Sequence, residues 1–107
     1  MRGFGEHKQP KKVDSSEQEK RFLSQAVKLH HSGKSGEASR CYELLITNGS
    51  KNPLVYFNYG LLLQSLGRLQ KAESSTRKAI LLKPDFADAH FNLGEILWQV
   101  QVEFLFG

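Results

Sequence analysis

The chain has 107 residues, 39% hydrophobic and 24% charged, with 15 Lys and Arg against 11 Asp and Glu, for a formal net charge of +4. That length holds one small domain, or a domain and a tail, and no apolar run approaches the roughly 18 residues of a membrane helix. The single cysteine, Cys41, excludes an internal disulfide and a cysteine-based zinc site, and the charge is too mild to mark a nucleic-acid binder.

Residues 1–14 carry Gly3, Gly5 and Pro10, with Arg2, Lys8, Lys11 and Lys12 against Glu6 and Asp14. Phe4 is the one large hydrophobe, so the segment cannot bury enough surface to offset its ordering entropy, and a disordered basic arm is predicted. It has no apolar h-region, and a cytoplasmic location is the expectation. A helix follows, capped by Ser15 or Ser16, with Phe22, Leu23, Ala26, Val27, Leu29 and His30 at helical spacing. After a break at Gly33 and Gly36, Ala38, Cys41, Tyr42, Leu44, Leu45 and Ile46 form a second apolar stripe that ends at Asn48-Gly49. Asn52-Pro53 starts a third helix, as an N-cap followed by proline at the first helical position. Val55, Tyr56, Tyr59, Leu62, Leu63 and Leu66 carry it to Gly67. A fourth runs through Ala72, Ser75, Thr76, Ala79, Ile80 and Leu82 to Pro84, and Asp85 is the expected cap of a fifth with Ala89, His90, Leu93, Ile96 and Leu97.

A shift of 34 residues superposes this pattern on itself without a gap. Gly33 falls on Gly67, Ala26 on Gly60 and Gly94, Ala38 on Ala72, and Leu29 on Leu63 and Leu97. Phe22, Tyr56 and His90 share a column, and so do Asn58 and Asn92. The columns alternate small residues, which let helices approach, with large ones that fill the spaces between, so neighbouring units must stack to bury their apolar faces. The spacing resembles the tetratricopeptide repeat, carried best by Tyr56, Gly60, Leu63, Gly67, Ala72, Ala79 and Pro84. Tyr59 and Thr76 depart from its pattern. The resemblance implies an all-α solenoid of helix-turn-helix units over residues 15–100: units 19–52 and 53–86, then a partial third, 87–100. Residues 101–107 are expected to form an irregular apolar tail.

Arrays of this kind hold an extended peptide or a partner helix in a groove lined by the first helix of each unit. The resemblance places Asn58, Asn92, Phe57, Gln64, Asp88, Phe91 and Glu95 in that groove, with Trp98 a further candidate. Asn58 and Asn92, in Phe-Asn-Tyr-Gly and Phe-Asn-Leu-Gly, resemble the asparagine ladder in the superhelix of O-linked N-acetylglucosamine transferase. A side-chain amide both donates and accepts, so it can grip a peptide backbone of any sequence; bonds within or between helices are the alternative for the pair. The carboxylate clamp of related arrays is not expected, because Leu23 and Val27 stand where it has lysine and asparagine.

Other motifs have plain structural readings. Gly33-Lys34-Ser35 lacks the upstream glycine and strand of a phosphate loop and reads as a helix turn. His30 and His31 are adjacent and point to different helix faces, Cys41 is a core thiol, and Asn48-Gly49-Ser50 matches a glycosylation sequon only in form. Lys71, Arg77, Lys78 and Lys83 make a solvated basic face. No catalytic set, metal site or cofactor is expected, so an enzyme is not the reading.

Past Trp98 the repeat pattern dissolves, and the alternation Val100, Val102, Phe104, Phe106 reads as a short strand. The third unit lacks a second helix, which leaves three expectations open: a truncated longer array, a tail folded back as a cap, or self-association through this end. The functional expectation is a protein-interaction module from a bacterium. The alternatives are a truncated remnant without a partner and a nucleic-acid adaptor acting through the basic arm.

Overall fold

The structure, a computed structural model, describes residues 15–107; the basic arm expected over 1–14 lies outside the described residues. Five helices follow one another: α1 (Ser15–His31), α2 (Ser35–Thr47), α3 (Pro53–Ser65), α4 (Leu69–Leu82) and α5 (Ala87–Phe106). The described residues contain no strand.

Local chemistry fixes most of the boundaries. Gly33, Gly49 and Gly67 have φ between +76° and +81°, a region that costs an L side chain strain, and each closes the helix before it. The amides after them reach back five residues, from Lys34 to the Leu29 carbonyl, Ser50 to Leu45 and Arg68 to Leu63, at 2.8–3.0 Å. Orphan carbonyls at three helix ends are thereby satisfied. Asn52 caps α3 as expected, its side-chain oxygen accepting from the Leu54 amide at 2.9 Å with Pro53 behind it. Asp85 does not cap α5. The cap position is Phe86, without a side-chain cap bond, and its ring packs on Phe57 with centroids 4.9 Å apart.

The repeat seen in the columns is also a repeat of hydrogen bonds. The Tyr56 hydroxyl donates to the Ser50 carbonyl at 2.8 Å, and 34 residues on the His90 ring nitrogen Nε2 donates to the Pro84 carbonyl at 2.7 Å. Each ties a first helix to the end of the unit before it. Ser50 is buried and also joins α1, its hydroxyl donating to the Glu19 carboxylate.

α1 packs on α2 and α3 on α4 as pairs, and α2 on α3 and α4 on α5 join the pairs in series. Ala26, Ala38, Ala72, Ala79 and Ala89 are fully buried in these seams. Tyr42, Leu45, Val55 and Leu62 fill one cluster, and Leu63 and Ile96 fill a second with Ala72. The tightest approach is at Gly60, where an added Cβ would lie 2.5 Å from Thr76 Oγ1.

Residues 101–106, expected to be irregular, are helical, and no fold-back cap forms. Position 101 is Gln where the earlier units have Gly33 and Gly67, so nothing reverses the chain there. Val100 packs against the cluster of Leu63, Ala72 and Ile96, which favours a helical continuation over the strand alternation. α5 therefore runs 20 residues, where α3 runs 13.

Candidate groove on the first helices

The candidate residues separate into three environments. Phe57 and Gln64 on α3 are partly buried and face α5: Phe57 stacks against Phe86, and Gln64 Nε2 donates to Gln99 Oε1 at 2.5 Å. Asn58 is half-buried, and its amide nitrogen donates to the Leu54 carbonyl one turn back at 2.8 Å. Its counterpart on α5 is different. Asn92 is only 8% exposed, and its amide nitrogen has no hydrogen-bond partner among the described residues. A buried donor left without an acceptor costs about 1–3 kcal/mol.

Asp88 and Glu95 are exposed on α5, and no basic residue shares that helix. Phe91 and Trp98 are 71% and 67% exposed. They stand 34 residues after Phe57 and Gln64, the two side chains that meet the following first helix. By that equivalence they project from the open end of the stack and belong less to the asparagine row than to a stacking face.

Three clefts indent the surface, and neither asparagine lines them. About 680 Å³ lies between the α3–α4 turn and the distal half of α5, bounded by Arg68, Lys71, Val100 and Phe104. About 610 Å³ runs along α1 beside Lys20, Ser24 and Lys28. The third, about 310 Å³, sits between α2, α3 and α4 and was missed in the sequence. Tyr56 and Tyr59 floor it and Lys78 overhangs it, its ammonium 5.8 Å from the Tyr56 ring centroid. The sequence had shown these lysines only as a charged face. Gln99, the partner of Gln64, was also missed; its register over Ser65 carries no shared residue type.

The weak motifs take their structural places. Lys34 begins α2 at a helix-to-helix turn, with no strand before it. Burial, then the neighbouring His31, holds the His30 pKa below its ordinary value. Cys41 is partly buried against the core.

Residues 54–86 match the family model of the tetratricopeptide repeat. Over 59 residues the chain is 42% identical to protein O-mannosyl-transferase Tmtc3 of Drosophila melanogaster, a match covering 55% of this chain. It takes in 6% of that protein, so the chain spans only a small part of the curated relative it matches. Residues 54–86 are a tetratricopeptide repeat, a unit that in general mediates protein–protein interaction and is generally a non-catalytic scaffold. That relative is an insect protein, and nothing supports the bacterial source expected from the sequence. Among the described residues no helix is long and apolar enough to cross a membrane.

Proposed function

We propose that the chain binds an extended peptide segment of a partner protein along α3 and α5, with Asn58 and Asn92 gripping the peptide backbone. The observation that carries this reading is the buried, unpartnered amide nitrogen of Asn92. A backbone carbonyl is the complement of such a donor, and meeting it recovers the cost of leaving it unpaired. Asp88 and Glu95, without basic neighbours on α5, favour a segment carrying Lys or Arg. The transferase chemistry of the insect relative is not assigned to these residues.

Selection of a random peptide display library on the full chain tests the reading, followed by calorimetric titration of the enriched peptide. Asn92→Leu is expected to weaken that peptide tenfold or more while raising thermal stability by about 1–2 kcal/mol, because an orphaned buried amide is replaced by an apolar group of similar size. Asn58→Ala is expected to weaken it several-fold with little change in stability, its local bond being to a carbonyl of its own helix. Equal binding by both variants and the unaltered chain contradicts the proposal, as does a selection that enriches no peptide.

A further inference from the structure

The outer face of α5 is the largest feature of the molecule that the groove reading does not use. Ala89, Asn92 and Ile96 are buried against the stack. Trp98 lies roughly 200° around the helix from Ile96, at 3.6 residues per turn, and is mostly exposed. Phe91, Trp98 and Leu105 are spaced by seven residues, almost two turns, so they form one stripe, with Val102 between the last two. α5 is thus apolar on two opposite faces, the pattern of a helix covered on both sides.

Three observations select the occupant. The exposed parts of Phe91, Leu97, Trp98, Phe104, Leu105 and Phe106 amount to roughly 800 Å², taking about 150–250 Å² for each aromatic side chain. That is on the order of the ~800 Å² per partner in a stable interface, and it exceeds the few hundred Å² that monomers leave open as a patch. The face also continues an interface already present in the chain. Phe57 and Gln64 meet Phe86 and Gln99 across α3 and α5, and Phe91 and Trp98 are their equivalents one unit on. Finally, the stripe is symmetric about Trp98. In an antiparallel pair centred there, Trp98 meets its own copy, Phe91 meets Leu105 of the other chain, and Glu95 lies across from Gln101. A parallel pair would set Glu95 against Glu95, and α5 has no Lys or Arg to relieve the repulsion.

We infer that two copies of this chain pair through α5, antiparallel, across a seam of Phe91, Trp98 and Leu105. The seam is separate from Asn58 and Asn92, so loss of pairing and loss of peptide binding are distinguishable. Two-fold contacts of this self-complementary type close on themselves and do not propagate.

The test is sedimentation velocity of the full chain from about 1 to 200 μM, together with the emission of Trp98, the single tryptophan. A monomer-to-dimer transition with a concentration-dependent blue shift is expected. Trp98→Glu and Leu105→Glu should each shift the dimer midpoint at least tenfold upward with the helical circular dichroism retained. Orientation is read in a Cys41→Ser background. Trp98→Cys should oxidise to a symmetric disulfide dimer, whereas Phe91→Cys should cross-link to a Leu105→Cys copy and not to itself. A monomer at every concentration overturns the inference, as does a dimer indifferent to Glu at 98 and 105. So does cross-linking of Phe91→Cys to itself, or a blue shift produced by phosphatidylcholine or phosphatidylserine vesicles but not by concentration.

Discussion

Tyr42→Ala is expected to lower the unfolding free energy by about 3–5 kcal/mol, the range for deleting a buried aromatic ring. Tyr42 is the largest of the fully buried side chains, and its ring stacks on Tyr59 with centroids 5.5 Å apart. A domain of this size has only about 5–15 kcal/mol in all, so the variant should melt ten or more degrees lower. Tyr42→Phe has the opposite sign. The hydroxyl is buried without a partner, and its removal should stabilise by about 1 kcal/mol while the packing stays. The same hydroxyl gives a pH signature. Burial, then the neighbouring Cys41, pushes the Tyr42 phenol from its ordinary 10.0 up to about 12, and burial also raises Tyr56 and Tyr59. Between about pH 10 and 12 the unfolded chain has released protons that the folded chain still holds. Stability is therefore complete below about pH 9 and falls as pH rises through that window. Thermal melts at pH 8, 10 and 11 check this, and Tyr42→Phe should flatten the fall.

The second expected result is a reversal of sign between two equivalent glycines. Gly60→Ala should destabilise by about 1–2 kcal/mol, because overpacking costs about 1–3 kcal/mol and better helix propensity returns roughly 1. The new Cβ would meet Thr76 Oγ1 at 2.5 Å and the Ala72 carbonyl at 3.5 Å, so α3 and α4 must part or Thr76 must turn. Gly94→Ala should stabilise by about 0.5–1 kcal/mol, since nothing lies within 4 Å of the added carbon. The contrast has a simple origin: α4 covers Gly60, and no described element covers Gly94. Thr76 is fully buried and its hydroxyl is unpartnered, so Thr76→Ala should relieve much of the Gly60→Ala loss. Urea unfolding of the four chains in a double-mutant cycle measures that coupling. Equal losses at Gly60 and Gly94 would contradict the open end of the stack.

These residues also show what the sequence could and could not reveal. The 34-residue register was legible because packing forces a residue type at each seam: glycine where φ is positive, alanine where helices touch. Asn52-Pro53 was legible because a cap is chemistry between near neighbours. The distal half of α5 was not. Val100, Val102, Phe104 and Phe106 alternate as a strand would, while the seven-residue spacing of Phe91, Trp98 and Leu105 fits a helix equally well. Contact with Leu63 and Ile96, both distant in sequence from residue 106, favours the helix. Asp85 looked like a cap by residue type, but the Phe57–Phe86 contact places the start of α5 beyond it. Of the candidate groove, the Asn58–Asn92 column was visible in the sequence; the unequal burial and bonding of the two amides depends on neighbours that the sequence does not name.

The most direct test of peptide binding is the ¹H–¹⁵N spectrum of the chain during titration with its selected peptide, with the side-chain amides of Asn58 and Asn92 assigned. Both NH₂ pairs are expected to shift, with Asn92 moving most, since its nitrogen passes from no partner to one. Shifts confined to the cleft of Tyr56, Tyr59 and Lys78, with both asparagine pairs unmoved, would contradict the groove.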